Sequence, residues 1–100
     1  MGRILRLRNR ELGIDLVPSS GDTLGRRFGQ HVEVLSRFVQ ISSSHLELRC
    51  DAQGSWFAKD MNSFNHSYYN GCMLVAGEEQ RLEQGATLAL ADIVLAVELE

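Results

Sequence analysis

Arg26, Ser42, Ser43, His45 and Asn65 are the residues of this chain whose types suggest chemistry done in concert. An arginine presents a planar fork of donors that matches carboxylate or phosphate oxygens. A serine hydroxyl can donate to the same oxygens, and an asparagine amide donates and accepts at once. Such groups suit an anion with several acceptor oxygens. His45 lies three residues after Ser42, which raises a nucleophile-and-base reading. Residues three apart in an extended segment point to opposite faces, so direct contact between the two side chains is not expected. No third group to orient the base is evident around His31, His45 or His66. The expectation is a protein that is not an enzyme, with no catalytic residue. Cys50 and Cys72 lack metal-ligand spacing and read as small buried hydrophobes in a reducing compartment. Neither a metal nor a cofactor is expected.

These residues must be held by short strands. Apolar segments recur at Ile4 to Leu7, Ile14 to Val17, Thr23-Leu24, Val32 to Leu35, Phe38 to Ile41, Leu46 to Leu48, Trp56 to Ala58, Tyr68-Tyr69, Met73 to Val75, Leu88 to Leu90 and Ile93 to Val97. Turn residues separate them at Pro18 to Asp22, Asp51 to Gly54, Asn70-Gly71, Gly77 to Glu79 and Gln84-Gly85. Leu46, Leu48 and Cys50 alternate with Glu47 and Arg49, the period of a half-buried strand. Asn70-Gly71 is a strong hairpin signal, because both central positions of a type I′ turn need φ > 0. The pattern predicts an all-β, two-sheet sandwich of about 10–11 short, mainly antiparallel strands. The polar stretch Asp60 to Gly71 then falls between strands, where binding groups tend to sit.

One hundred residues suit a single domain over 1–100, and 44% apolar residues suffice for a core. A net charge of −3 argues against a general nucleic-acid binder. Arg3, Arg6, Arg8 and Arg10, with Arg26-Arg27, leave room for a local basic patch. No apolar h-region follows the basic start, so no signal peptide is expected. The longest apolar run, Leu88 to Val97, is broken by Asp92 and too short to span a bilayer; it reads as two strands and a turn. The expected location is cytoplasmic, without membrane insertion.

Three segments, in order, carry a resemblance: Thr23-Leu24-Gly25-Arg26, then Ser42-Ser43-Ser44-His45 leading into Leu46 to Leu48, then Asp60 to Gly71. The chain resembles the forkhead-associated domain, a phosphothreonine-reading β-sandwich, over about residues 3 to 98. The later Leu82-x-x-Gly85 and the apolar closing strands also fit. The resemblance implies a module of a larger signalling or secretion protein that binds a threonine-phosphorylated protein or peptide through loops at one end of the sandwich. It implies phosphate contacts from Arg26, Ser42 and, less centrally, Ser43, and places Phe64 beside the phosphate. It implies that Asn65 bonds the bound peptide's backbone, and that Gly25 and His45 support the loops.

The chain departs from the family pattern at several positions. Phe64 stands where a small hydroxyl residue is usual, and Ser44 where a basic residue is common. His66 and Asn62 replace glycines, and both residue types visit φ > 0 more readily than most. Ala86 replaces the Asp of a Gly-Asp turn. Losing one hydrogen bond to a charged group costs roughly 1.5–3 kcal/mol. A second reading therefore stands beside the first: a degenerate sandwich used as a phosphate-independent scaffold or oligomer contact, with Phe64, His66, Tyr68 and Tyr69 as exposed contact residues.

Overall fold

The computed structural model describes residues 3–100; the first two residues of the expected domain lie outside them. Ten strands and one helical turn follow in chain order: β1 (Leu5–Asn9), β2 (Ile14–Leu16), β3 (Thr23–Leu24), α1 (Val32–Leu35), β4 (Leu46–Cys50), β5 (Trp56–Asp60), β6 (Ser67–Tyr69), β7 (Cys72–Met73), β8 (Glu79–Leu82), β9 (Thr87–Leu90) and β10 (Ile93–Leu99). They form a six-stranded sheet, β2-β1-β10-β9-β6-β7, and a four-stranded sheet, β3-β4-β5-β8. Every pairing is antiparallel. The molecule is the expected all-β sandwich.

Period-two alternation decides which side chains meet between the sheets. Ile93, Leu95 and Val97 of β10 point inward while Val94 and Ala96 face out. They pack with Leu5 and Leu7, Leu88 and Leu90, and across the sandwich with Leu46, Leu48, Trp56 and Ala58. The Trp56 indole N–H is satisfied by the Arg3 carbonyl at 2.9 Å, so the largest core ring carries no unpaired donor. Continuing the alternation Trp56, Ala58 puts Asp60 on the inner face at the end of β5, where it is 2% exposed. That buried carboxylate lies under the loop that follows β5.

Several sequence expectations are corrected. Val32 to Leu35 is one turn of helix, and Phe38 to Ile41 is a turn, because between β3 and β4 the chain crosses the end of the sandwich without a sheet partner. Only Leu35 and Ile41 of these segments reach full burial. Strand β8 was absent from the expected set: it is an edge strand whose only buried side chain is Leu82, so it shows almost no apolar signal. The arginines of β1 do not form a free basic patch. Arg6 pairs with Asp15 at 3.2 Å and Arg8 with Glu98 at 3.7 Å. Cys72 is exposed rather than buried, and Cys50 is half-buried. Tyr68 and Tyr69 are half-buried rather than exposed; the Tyr69 hydroxyl accepts the Glu83 N–H at 3.0 Å.

Asn70 and Gly71 close the β6–β7 hairpin with φ of 50° and 82°, the two positive values a type I′ turn needs. Asn62 and His66 also hold positive φ, 59° and 66°, so the turns survive the loss of glycine there.

Candidate phosphopeptide site

Arg26 is delivered by the end of β3, which is zipped onto the segment before β4. The His45 N–H donates to the Leu24 carbonyl, and the Arg26 N–H donates to the Ser42 carbonyl, both at 2.9 Å. Arg27 and Phe28 both donate their N–H to the Ser43 carbonyl. This close approach needs a glycine at 25. A Cβ there would lie 2.1 Å from the Ser43 carbonyl oxygen and 2.7 Å from that of Phe28. The Arg26 side chain is then aimed by its own Nε, which donates to the Ile41 carbonyl at 2.9 Å. Among the described residues, its two terminal nitrogens have no partner.

The segment from Ser42 to His45 is a turn rather than the extended run the sequence suggested. His45 therefore does meet Ser42, but through the backbone: the Ser42 N–H donates to His45 Nδ1 at 3.0 Å. The other ring nitrogen, Nε2, donates to the His66 carbonyl at 2.9 Å. The ring is fully buried and both nitrogens are committed, which leaves no base for catalysis. His45 thus ties the loop before β4 to the loop after β5. The His66 carbonyl also accepts the Ala91 N–H at 2.9 Å, which holds Ala91 at a φ of 57°.

The loop after β5 is braced from beneath and from the side. The Asp60 carboxylate accepts the Ser63 hydroxyl at 2.6 Å, the Ser67 hydroxyl at 2.5 Å and the Ser63 N–H at 3.0 Å. Burial alone would raise the Asp60 carboxyl; these hydrogen bonds outweigh burial and hold it below the ordinary range. From the side, the Phe64 N–H donates to Ser42 Oγ, and Asn65 Nδ2 donates to the Gln40 carbonyl, both at 2.9 Å.

The result is a shallow cavity of about 300 Å³ lined by Arg26, Val39, Gln40, Ile41, Ser42, Ser43, Phe64 and Asn65. All five residues expected to touch a phosphopeptide are in it. Gly25 and His45 lie behind it, in the strand end and loop that form its wall. Among the described residues no carboxylate lines it, so Arg26 gives it a positive charge. Ser42 Oγ spends a lone pair on Phe64, which leaves its proton for an acceptor in the cavity. Gln40, Val39 and Ile41 were not singled out by sequence reasoning, and Phe38 to Ile41 had been read as a strand; no local pattern marks a turn that lines a site. The roles of Asp60, Ser63 and Ser67 were also not foreseen, because a buried carboxylate network is a tertiary fact.

His45 makes stability depend on pH. Burial lowers its pKa, only partly offset by the bond to the His66 carbonyl and by Asp60. The unfolded imidazole takes up a proton below about pH 6.5. Since the folded ring takes it up only at lower pH, the unfolded chain binds more protons in that window. Stability is therefore full above about pH 6.5 and falls as the pH drops through it. Denaturation midpoints across pH 5 to 8 should show this loss in the parent chain. The His45→Gln variant should start less stable and decline less.

The family model for the forkhead-associated (FHA) domain matches residues 23–91, and the chain belongs to the FHA domain family. The family consists of non-catalytic, phosphopeptide-binding interaction modules. Solved FHA structures superpose along the whole chain. One, from a structural and functional analysis of phosphothreonine-dependent FHA domain interactions, has 25% identity and a TM-score of 0.76, covering 100% of this chain and 98% of its own. The FHA domain of an Arabidopsis thaliana hypothetical protein has 26% identity and a TM-score of 0.73, covering 99% and 86%. A Chlamydia trachomatis FHA domain, at 16% identity, shares the fold with a TM-score of 0.76, covering 97% of each chain. No curated protein matches the chain.

Proposed function

We propose that this domain binds phosphothreonine in a partner protein, with the phosphate in the Arg26 cavity. The observation that carries this reading is the state of the Arg26 side chain. Its Nε is anchored on Ile41, its terminal nitrogens have no partner among the described residues, and Arg26 lines a cavity together with Ser42 and Ser43. A guanidinium held this way loses little rotamer freedom on binding, which favours bidentate contact with phosphate. Asn65 then offers its carbonyl oxygen to a backbone N–H of the peptide, since its nitrogen already holds Gln40. Phe64, at 88% exposure, packs against the ligand's apolar surface rather than donating to phosphate. The domain acts in the cytoplasm as part of a signalling protein.

Titrating a degenerate phosphothreonine peptide library against its unphosphorylated twin tests the reading. Binding should require the phosphate, and should weaken as the pH falls below the phosphate's second pKa of about 6. Equal binding of both libraries would sink it. That outcome would favour the phosphate-independent contact, for which one specific observation speaks. Val39 and Phe64 line the same cavity at 83% and 88% exposure, a pair of apolar side chains open to a partner.

A further inference from the structure

A second cavity adjoins the Arg26 cavity and differs from it in charge. It holds about 480 Å³ and is lined by Gln40, Asn65, Tyr68, Ala91 and Asp92. Gln40 and Asn65 line both cavities and form the wall between them. Among the described residues, Arg26 is the only charged one lining the first, and Asp92 the only one lining the second.

Asp92 is exposed, and no cation pairs with it among the described residues. Its one hydrogen bond is from Gln40 Nε2 to Oδ1 at 2.9 Å, which fixes the carboxylate and leaves Oδ2 open. The same bond uses one N–H of Gln40 and leaves its Oε1 free to accept. Asn65 likewise commits its nitrogen to the Gln40 carbonyl. The cavity therefore carries one negative charge beside amide oxygens that can accept, each amide keeping a single N–H. Tyr68 and Ala91 supply an aromatic wall and a small floor. A carboxylate, amide oxygens and an aromatic ring together suit a donor-rich cation on an aliphatic stem.

We propose that this cavity selects a lysine or arginine side chain of the same peptide, within a few residues of the phosphothreonine, with Asp92 as the specificity-determining residue. The inference rests on the phosphothreonine reading and adds the class of ligand: a peptide with phosphate at one cavity and a cation at the next. Asp92 sits in the β9–β10 turn, and its neighbour Ala91 is tied to the His66 carbonyl that His45 also holds. The cation cavity and the phosphate cavity thus share one braced set of loops.

The test is a phosphothreonine peptide library in which each flanking position is varied among Lys, Arg, Ala and Asp, bound to the parent chain, Asp92→Asn and Asp92→Lys. Asparagine keeps an oxygen for Gln40 and removes the charge. The parent should prefer Lys or Arg over Ala at one flanking position by roughly three- to fivefold, the upper range for a partly exposed ion pair. Asp92→Asn should erase that preference while binding still requires the phosphate. Asp92→Lys should reverse it toward Asp. A preference for basic residues spread evenly over all positions, or left unchanged in Asp92→Asn, would overturn the proposal, since the net charge of −3 alone would then account for it. Phosphate-dependent binding with no basic preference would overturn it too, leaving the phosphothreonine reading intact. Binding that ignores the phosphate would overturn both.

Discussion

Arg26→Ala should lower affinity for a phosphothreonine peptide by about thirtyfold or more while the domain stays folded. Truncating one partner of a close, hydrogen-bonded charge pair costs about 2–5 kcal/mol, and 1.4 kcal/mol is tenfold. The fold loses little, because among the described residues the one hydrogen bond of this side chain runs from Nε to the Ile41 carbonyl. That bond contributes about 1 kcal/mol. Arg26→Lys separates charge from geometry: the ammonium keeps the charge but loses both the fork and the Nε anchor. Its affinity should fall between those of the parent and Arg26→Ala. Isothermal titration with one phosphopeptide, paired with thermal melts of each variant, reads both effects. A lysine variant that binds as tightly as the parent would mean that charge alone is recognised.

Gly25→Ala should have a large effect on stability for a single methyl group. Its Cβ would lie 2.1 Å from a carbonyl oxygen of the backbone, and no side-chain rotation relieves that contact. The end of β3 would have to separate from Ser43, breaking the bonds that place Arg26. Overpacking of this kind costs about 1–3 kcal/mol or more. In a domain this size each kcal/mol lowers Tm by roughly 4–8 °C. Gly71→Ala is the control. No atom lies within 4 Å of its added Cβ, so the cost there is only that of a left-handed conformation, about 1–2 kcal/mol. Thermal melts should rank Gly25→Ala below Gly71→Ala, and Gly25→Ala should also lose phosphopeptide affinity. Equal melting temperatures would mean that the β3 end has room to relax.

The sequence was most legible where local rules decide the outcome. Alternation placed β4, the apolar run from Leu88 to Val97 marked β9 and β10, and Asn70-Gly71 specified its own turn. It was least legible where tertiary contacts decide. β8 buries one leucine and takes its strand form from pairing with β5. Residues 32 to 41 are as apolar as a strand, yet fold as a helical turn and a loop because no sheet edge is there to receive them. In the site, the resemblance to the FHA family singled out Arg26, Ser42 and Asn65, whose chemistry suits an anion and a peptide backbone. What each atom is committed to was not readable. The amide nitrogen of Asn65 is spent on Gln40, Ser42 Oγ accepts from Phe64, and His45 reaches Ser42 through the backbone. Those commitments decide which atoms remain for a ligand.

The backbone amide resonances of the isotope-labelled domain, followed while a phosphothreonine peptide and then its unphosphorylated twin are added, test the central claim most directly. The account predicts that the phosphopeptide shifts the amides of Arg26, Ser42, Ser43, Phe64 and Asn65, that the outer face of the six-stranded sheet around Val94 is unmoved, and that the unphosphorylated peptide has no effect. Equal shifts with both peptides, or shifts confined to the sheet face away from Arg26, would contradict it.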